Sequence, residues 1–189
     1  MILSQFQTVG RDLFTRGLVS SNSGNMSIRL GDSIFITRRG AMLGCLQEQD
    51  LIETGVNKNN RATPLASTEL AVHRAIYQET QALAIVHAHP PHAVALSLTE
   101  TEIIPDQPEG FTLGGKVPVL GWDVEVKPGG LSDIIPHALK EHRVIMVHGH
   151  GSFAIGQLLE EAYNITTALE EACHVHCLLR SMKARPASK

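Results

Sequence analysis

The chain has 189 residues, enough for one domain that buries its own core without disulfide or metal staples. Apolar residues make up 43% and the net charge is −3, with no basic run longer than Arg38-Arg39, so extensive disorder is excluded and nucleic-acid binding lacks an electrostatic footprint. The opening MILSQFQTVGRDLFTRG lacks the cationic start and apolar block of a secretory signal, no stretch approaches a membrane span, and three cysteines make no disulfide framework; a soluble, cytoplasmic protein is expected.

Residues 2–16 place Ile2, Phe6, Val9, Leu13 and Phe14 at helical spacing, with Gly17 suited to the end of that helix. SSNSGNMSIRLGDSIFITRRG reads as a hairpin: Met26, Ile28 and Leu30 alternate, Gly31-Asp32 turns, and Ile34 and Ile36 alternate again. Residues 67–80 open on Ser67-Thr68-Glu69 and continue as a helix. ALAIVHAH is a short buried strand ending at Pro90, and PHAVALSL is a short helix after it. KVPVLGW reads as an edge strand, because Pro118 has no N–H for a ladder. Residues 130–142 read as helix, RVIMVHGHG as a strand running into glycines with SFAIG continuing it, and Leu158 to about Met182 as the longest helix. No repeat or linker divides the chain, which gives one domain over residues 1–183 and a frayed tail over 184–189. Alternating helices and strands imply an α/β or α+β class.

The ten histidines are the one compositional excess. On extended backbone, residues i and i+2 point to one side, so His87 and His89 can reach the same ion. His174 and His176 have that spacing on the long helix, where they diverge, and Cys173 and Cys177 read there as core-facing thiols. His148 and His150 end a second buried strand among glycines. Three histidines with an open fourth position form the catalytic rather than the structural arrangement for zinc. The alternative is that these imidazoles satisfy buried backbone groups. Glu69, near a helix N-terminus, is favoured as a carboxylate and suits a general base; by spacing alone, though, the stronger reading is an ordinary first-turn glutamate. The turns NSGN (Asn22–Asn25) and TRRG (Thr37–Gly40), with Ser67 and Thr68, offer N–H groups, hydroxyls and Arg39 to an anion if they converge in space.

Taken in order, SGNMSIR, ITRRG, STE, VHAH and HGHG before a long helix resemble the class II aldolase/adducin family, most closely its fuculose-phosphate aldolase branch. The resemblance covers nearly the whole chain. It implies a three-layer α/β/α fold with a mixed central sheet flanked by helices, and a zinc (or other divalent metal) site of His87, His89 and His150, with Glu69 as acid/base and ligand of the empty site. It implies that Gly24, Asn25, Gly40, Ser67 and Thr68 hold the phosphate of a small phosphorylated sugar, with His148 beside the ligands rather than among them. It also implies a homotetramer with active sites between subunits.

Two departures separate the chain from that branch. Arg39 stands where a threonine is usual beside the phosphate, and its guanidinium fork suits phosphate or carboxylate. A proton-donating tyrosine has no counterpart; the segment PDQPEGFTLGG offers Glu109 as the second acid/base. The expected activity is therefore a metal-dependent aldolase that cleaves or forms a ketose 1-phosphate. A sugar-phosphate dehydratase or aromatic-acid decarboxylase on the same scaffold is the alternative, and a non-catalytic adducin-like interaction domain is further off.

Overall fold

The computed structural model describes residues 2–105, 112–122 and 130–183. Its strands are β1 (Asn25–Leu30), β2 (Ser33–Thr37), β3 (Leu51–Gly55), β4 (Ala84–Ala88), β5 (Glu102–Ile103), β6 (Val117–Leu120), β7 (Val144–Val147) and β8 (Gly151–Gly156). Its α-helices are α1 (Ile2–Thr15), α2 (Leu70–Glu79), α3 (Pro91–Ser97), α4 (Leu131–Ala138) and α5 (Leu159–Lys183). The strands form one mixed sheet in the order β3-β2-β1-β4-β8-β7-β6-β5. Among the described residues only β6 and β7 pair in parallel.

Both faces of the sheet are covered, and period-two alternation assigns each side chain to a layer. In β4, Ala84, Val86 and Ala88 join one core with Phe6, Val9 and Leu13 of α1, Ala93 and Leu96 of α3, and Ile165, Leu169 and Ala172 of α5. Ile85, with the same parity as His87, joins the second core with Val72, Ile76 and Tyr77 of α2, Ile135 of α4, and Phe153 of β8. The result is the three-layer α/β/α architecture.

Four local expectations change. The strand carrying Pro118 is not at the edge, because β5 pairs with its outer side. Pro118 is tolerated there since the parallel ladder with β7 begins one residue later, at Val119 opposite Met146. SFAIG does not continue β7; residues 148–150 turn, and β8 returns antiparallel with Val147 opposite Gly151. Helix α2 begins at Leu70 rather than 67, and α4 ends at Ala138 rather than 142. Strand β3 and the short 3-10 helices Leu43–Cys45, Glu48–Asp50 and Thr63–Leu65 are additions to the expected elements. The two thiols on α5 do face the core, Cys173 buried within it and Cys177 half-buried against it. Residues 184–189, expected as a tail, lie outside the described residues.

Candidate functional site

The functional residues gather at one end of the sheet, where β1 begins, β2 and β4 end, and the β7–β8 turn returns. His87 is the penultimate residue of β4 and is 1% exposed. Across β1 it faces Asn25, and across β8 it faces Phe153, whose ring stacks on it at 4.2 Å. His89 follows the strand end with its Nε2 3.0 Å from His87 Nε2. His150 arrives from the β7–β8 turn, its ring stacked on His87 at 5.1 Å. One ring nitrogen from each of these three histidines lies within 4.8 Å of the others. His148 is not among them: its ring packs against Trp122 at 4.4 Å. His92 lies on α3, with Nδ1 2.7 Å from Glu170 and its ring stacked on His174.

Glu69 completes the cluster from the position that caps α2. Its Oε2 accepts from Asn25 Nδ2 at 2.6 Å and lies 3.3 Å from His87 Nε2, while its Oε1 lies 3.4 Å from His150 Nε2. Burial alone would raise its carboxyl; the pull of His87 and contacts with His150 and Asn25 outweigh that and hold it well below the usual carboxylate range. His87 moves down, to about 3, because burial disfavours the imidazolium more than Glu69 favours it. Burial lowers His89 as well. At neutral pH His87 is therefore neutral and Glu69 ionised, the protonation states that metal ligation requires.

A divalent metal fits this donor set on two observations. The Ser152 carbonyl can only accept, so His87 Nδ1 carries the proton in their 2.9 Å hydrogen bond and Nε2 is left as a lone pair facing the Glu69 carboxylate. His150 Nε2 is a buried nitrogen that makes no well-formed hydrogen bond among the described residues, its contact with Glu69 Oε1 being long at 3.4 Å. Two electron-rich atoms facing each other, beside a third nitrogen poorly satisfied at 3.4 Å, are reconciled by a shared cation.

The anion turns converge on the same cavity. It measures about 140 Å³ and is lined by Asn22, Gly24, Asn25, Arg38, Arg39, Gly40, Ser67 and Thr68, together with Glu69, His87, His89 and His150. Gly24 and Gly40 adopt φ of 75° and 70°, the left-handed region that glycine tolerates. The N–H groups of Gly40 and Thr68 have no hydrogen-bond partner among the described residues. The two arginines differ. Arg38 is held by Asp50 at 2.8 and 3.0 Å, whereas among the described residues the Arg39 side chain makes only a 3.5 Å contact, to the Pro64 carbonyl, and stays exposed on the rim. Asn22, Gly24, Asn25, Arg39, Gly40, Ser67 and Thr68 are thus brought together, Arg38 joins the lining without having been singled out, and Glu109 lies outside the described residues. A larger cavity, about 400 Å³, opens at the other end of β4 beside Ala82 and Gly156, away from every one of these groups.

Fold and site together define a three-layer α/β/α domain with a metal-type donor set at one end of a mixed sheet. The family described as class II aldolase and adducin N-terminal domain matches residues 4–177, and the chain belongs to that family. The crystal structure of L-fuculose-1-phosphate aldolase from Thermus thermophilus is similar at 36% identity and a TM-score of 0.90, over 99% of this chain and 98% of that one. L-fuculose phosphate aldolase from Methanocaldococcus jannaschii is 31% identical over 88% of this chain and 91% of its own length. Methylthioribulose-1-phosphate dehydratase from Acidiphilium cryptum is 29% identical over 93% and 89%. Class II aldolases are divalent-metal-dependent lyases. No helix among the described residues is long and apolar enough to cross a membrane.

Proposed function

We propose that the chain is a zinc-dependent aldolase that cleaves or forms a ketose 1-phosphate of the L-fuculose 1-phosphate type, yielding dihydroxyacetone phosphate and an aldehyde. One observation carries the reading: three imidazoles and the Glu69 carboxylate share a single small cavity with the glycine turns and Arg39. His87, His89 and His150 would hold the metal, with Glu69 as a further ligand before substrate arrives. The bound cation supplies Lewis-acid stabilisation of negative charge developing on the substrate oxygens.

The chain's own residues do the rest. Glu69, ionised at neutral pH, takes the α-proton of dihydroxyacetone phosphate during synthesis and returns a proton to that carbon during cleavage. The N–H groups of Gly40 and Thr68, the Ser67 and Thr68 hydroxyls, Gly24, Asn25 and the Arg39 guanidinium anchor the phosphate and convert its binding into orientation. Glu109 serves as the second acid/base, in place of the missing tyrosine. The reading includes a cytoplasmic homotetramer; light scattering and cell fractionation check those two parts.

The test is retro-aldol cleavage of L-fuculose 1-phosphate with and without chelator. Activity should vanish on metal removal, return with zinc, and fall by about two orders of magnitude or more in Glu69→Gln. Cleavage that survives chelation overturns the reading. Stoichiometric metal binding without cleavage of any ketose phosphate favours a sugar-phosphate dehydratase instead, the activity named for the Acidiphilium relative. In that event Glu109→Gln should abolish dehydration.

A further inference from the structure

Strand β1 and helix α2 are joined by three polar rungs. Asn25 donates to Glu69 at 2.6 Å. Ser27 Oγ lies 2.7 Å from His73 Nδ1 and 2.7 Å from the Tyr77 hydroxyl. The Arg29 guanidinium donates to the Tyr77 carbonyl at 2.7 Å. Alternate strand residues advance about 6.7 Å, and every fourth helix residue advances about 6 Å. Residues 25, 27 and 29 therefore keep step with 69, 73 and 77.

The middle rung is fully buried. Ser27 and His73 are 0% exposed and Tyr77 is 1% exposed, in the layer that also holds Ile36, Ile85 and Phe153. Polar groups placed there cost stability unless partnered, and apolar residues of the same shape would fill the space as well. Packing alone does not call for a hydroxyl, an imidazole and a phenol. What their directional bonds add is a fixed height and rotation of α2 against β1. Helix α2 carries Glu69 at its cap, and β1 carries Asn25 directly opposite His87. The strand thus refers the helix to the histidine cluster.

We propose that Ser27, His73 and Tyr77 are positioning residues, a ladder that locks α2 onto β1 and so holds the Glu69 carboxylate against the three histidines. The proposal rests on the reading of that cluster as a metal centre.

Ser27→Ala and Tyr77→Phe remove single hydroxyls while keeping shape. Each should weaken cobalt(II) affinity about tenfold, the usual scale for groups that orient a ligand, measured by competition with a chromophoric chelator. The melting temperature of the metal-free protein should fall, more in Ser27→Ala, which strands both His73 Nδ1 and the Tyr77 hydroxyl, so affinity is measured well below either transition. Tyr77→Phe should cost no further affinity in a Glu69→Gln background, because the ladder acts through that carboxylate. In the cleavage assay kcat should fall with KM held. Unchanged cobalt affinity in both variants, or an equal loss in the Glu69→Gln background, overturns the ladder alone. Wild-type protein that binds no cobalt overturns the metal reading first, and the ladder with it.

Discussion

His87 Nδ1 donates to the Ser152 carbonyl at 2.9 Å, joining the end of β4 to the strand beside it. The bond fixes the ring's tautomer and aims Nε2 at Glu69 and His89, as a group behind a metal ligand does. Metal should therefore stabilise the fold. At a free zinc concentration a hundredfold above Kd the gain is about 2.7 kcal/mol, seen as a rise in melting temperature. His87→Gln should lose that zinc-dependent rise. A variant that keeps it would remove His87 from the ligand set.

Gly151 presses on the same bond. A Cβ built there would run into the Ala88 carbonyl oxygen and come within 2.7 Å of His89 Cδ2 and 3.1 Å of His87 Cε1. Neither the strand carbonyl nor the two rings can retreat without parting β4 from β8. Gly151→Ala should cost roughly 1–3 kcal/mol by overpacking and should blunt the zinc-dependent melting shift. Denaturation with and without zinc checks both effects.

The adjacent arginines should separate cleanly. Arg39 is uncommitted at the cavity rim, so Arg39→Ala should raise KM roughly tenfold with kcat nearly unchanged, the cost of one charge-assisted bond to phosphate. Arg38 is tied to Asp50, which also accepts from the Gln47 N–H. The Arg38 side chain is 41% exposed, so solvent screening keeps the loss in Arg38→Ala to about 1 kcal/mol of stability. Steady-state kinetics beside urea unfolding of both variants tells the two roles apart.

Much of the site is readable before folding because strand geometry is local. His87 and His89 share a side by alternation alone, and Met26, Ile28, Ile34 and Ile36 give the hairpin away. The same rule fails for His148 and His150, since residues 148–150 turn rather than extend, and only His150 swings to the cluster. Strand β3 carries just Leu51 and Ile52 as apolar residues between short helical turns, too weak a pattern to announce itself. The Ser27 rung is hidden for another reason. A serine between Met26 and Ile28 reads as the solvent side of a strand, and its partners lie 46 and 50 residues further on. Only the helix laid over that face turns it into an interior group.

Buried His73 makes stability depend on pH. Burial pushes its imidazole down from 6.5 to about 4, against a smaller opposing pull from Glu69. Between those values the unfolded chain binds a proton that the folded chain refuses. Stability is therefore full above pH 6.5 and is lost as pH falls toward 4, by about 2 kcal/mol at pH 5 from this residue. The groups facing the ring are Ser27, Phe153 and, one turn back on α2, Glu69, none of which supplies a second positive charge. Urea midpoints of metal-free protein at pH 7.5 and pH 5 should differ by at least that much, since burial lowers His87 in the same direction. His73→Gln keeps a polar partner for Ser27 but cannot titrate, so its pH dependence should be shallower by about that amount. Equal pH dependence in the two proteins would mean that His73 accepts its proton inside the fold.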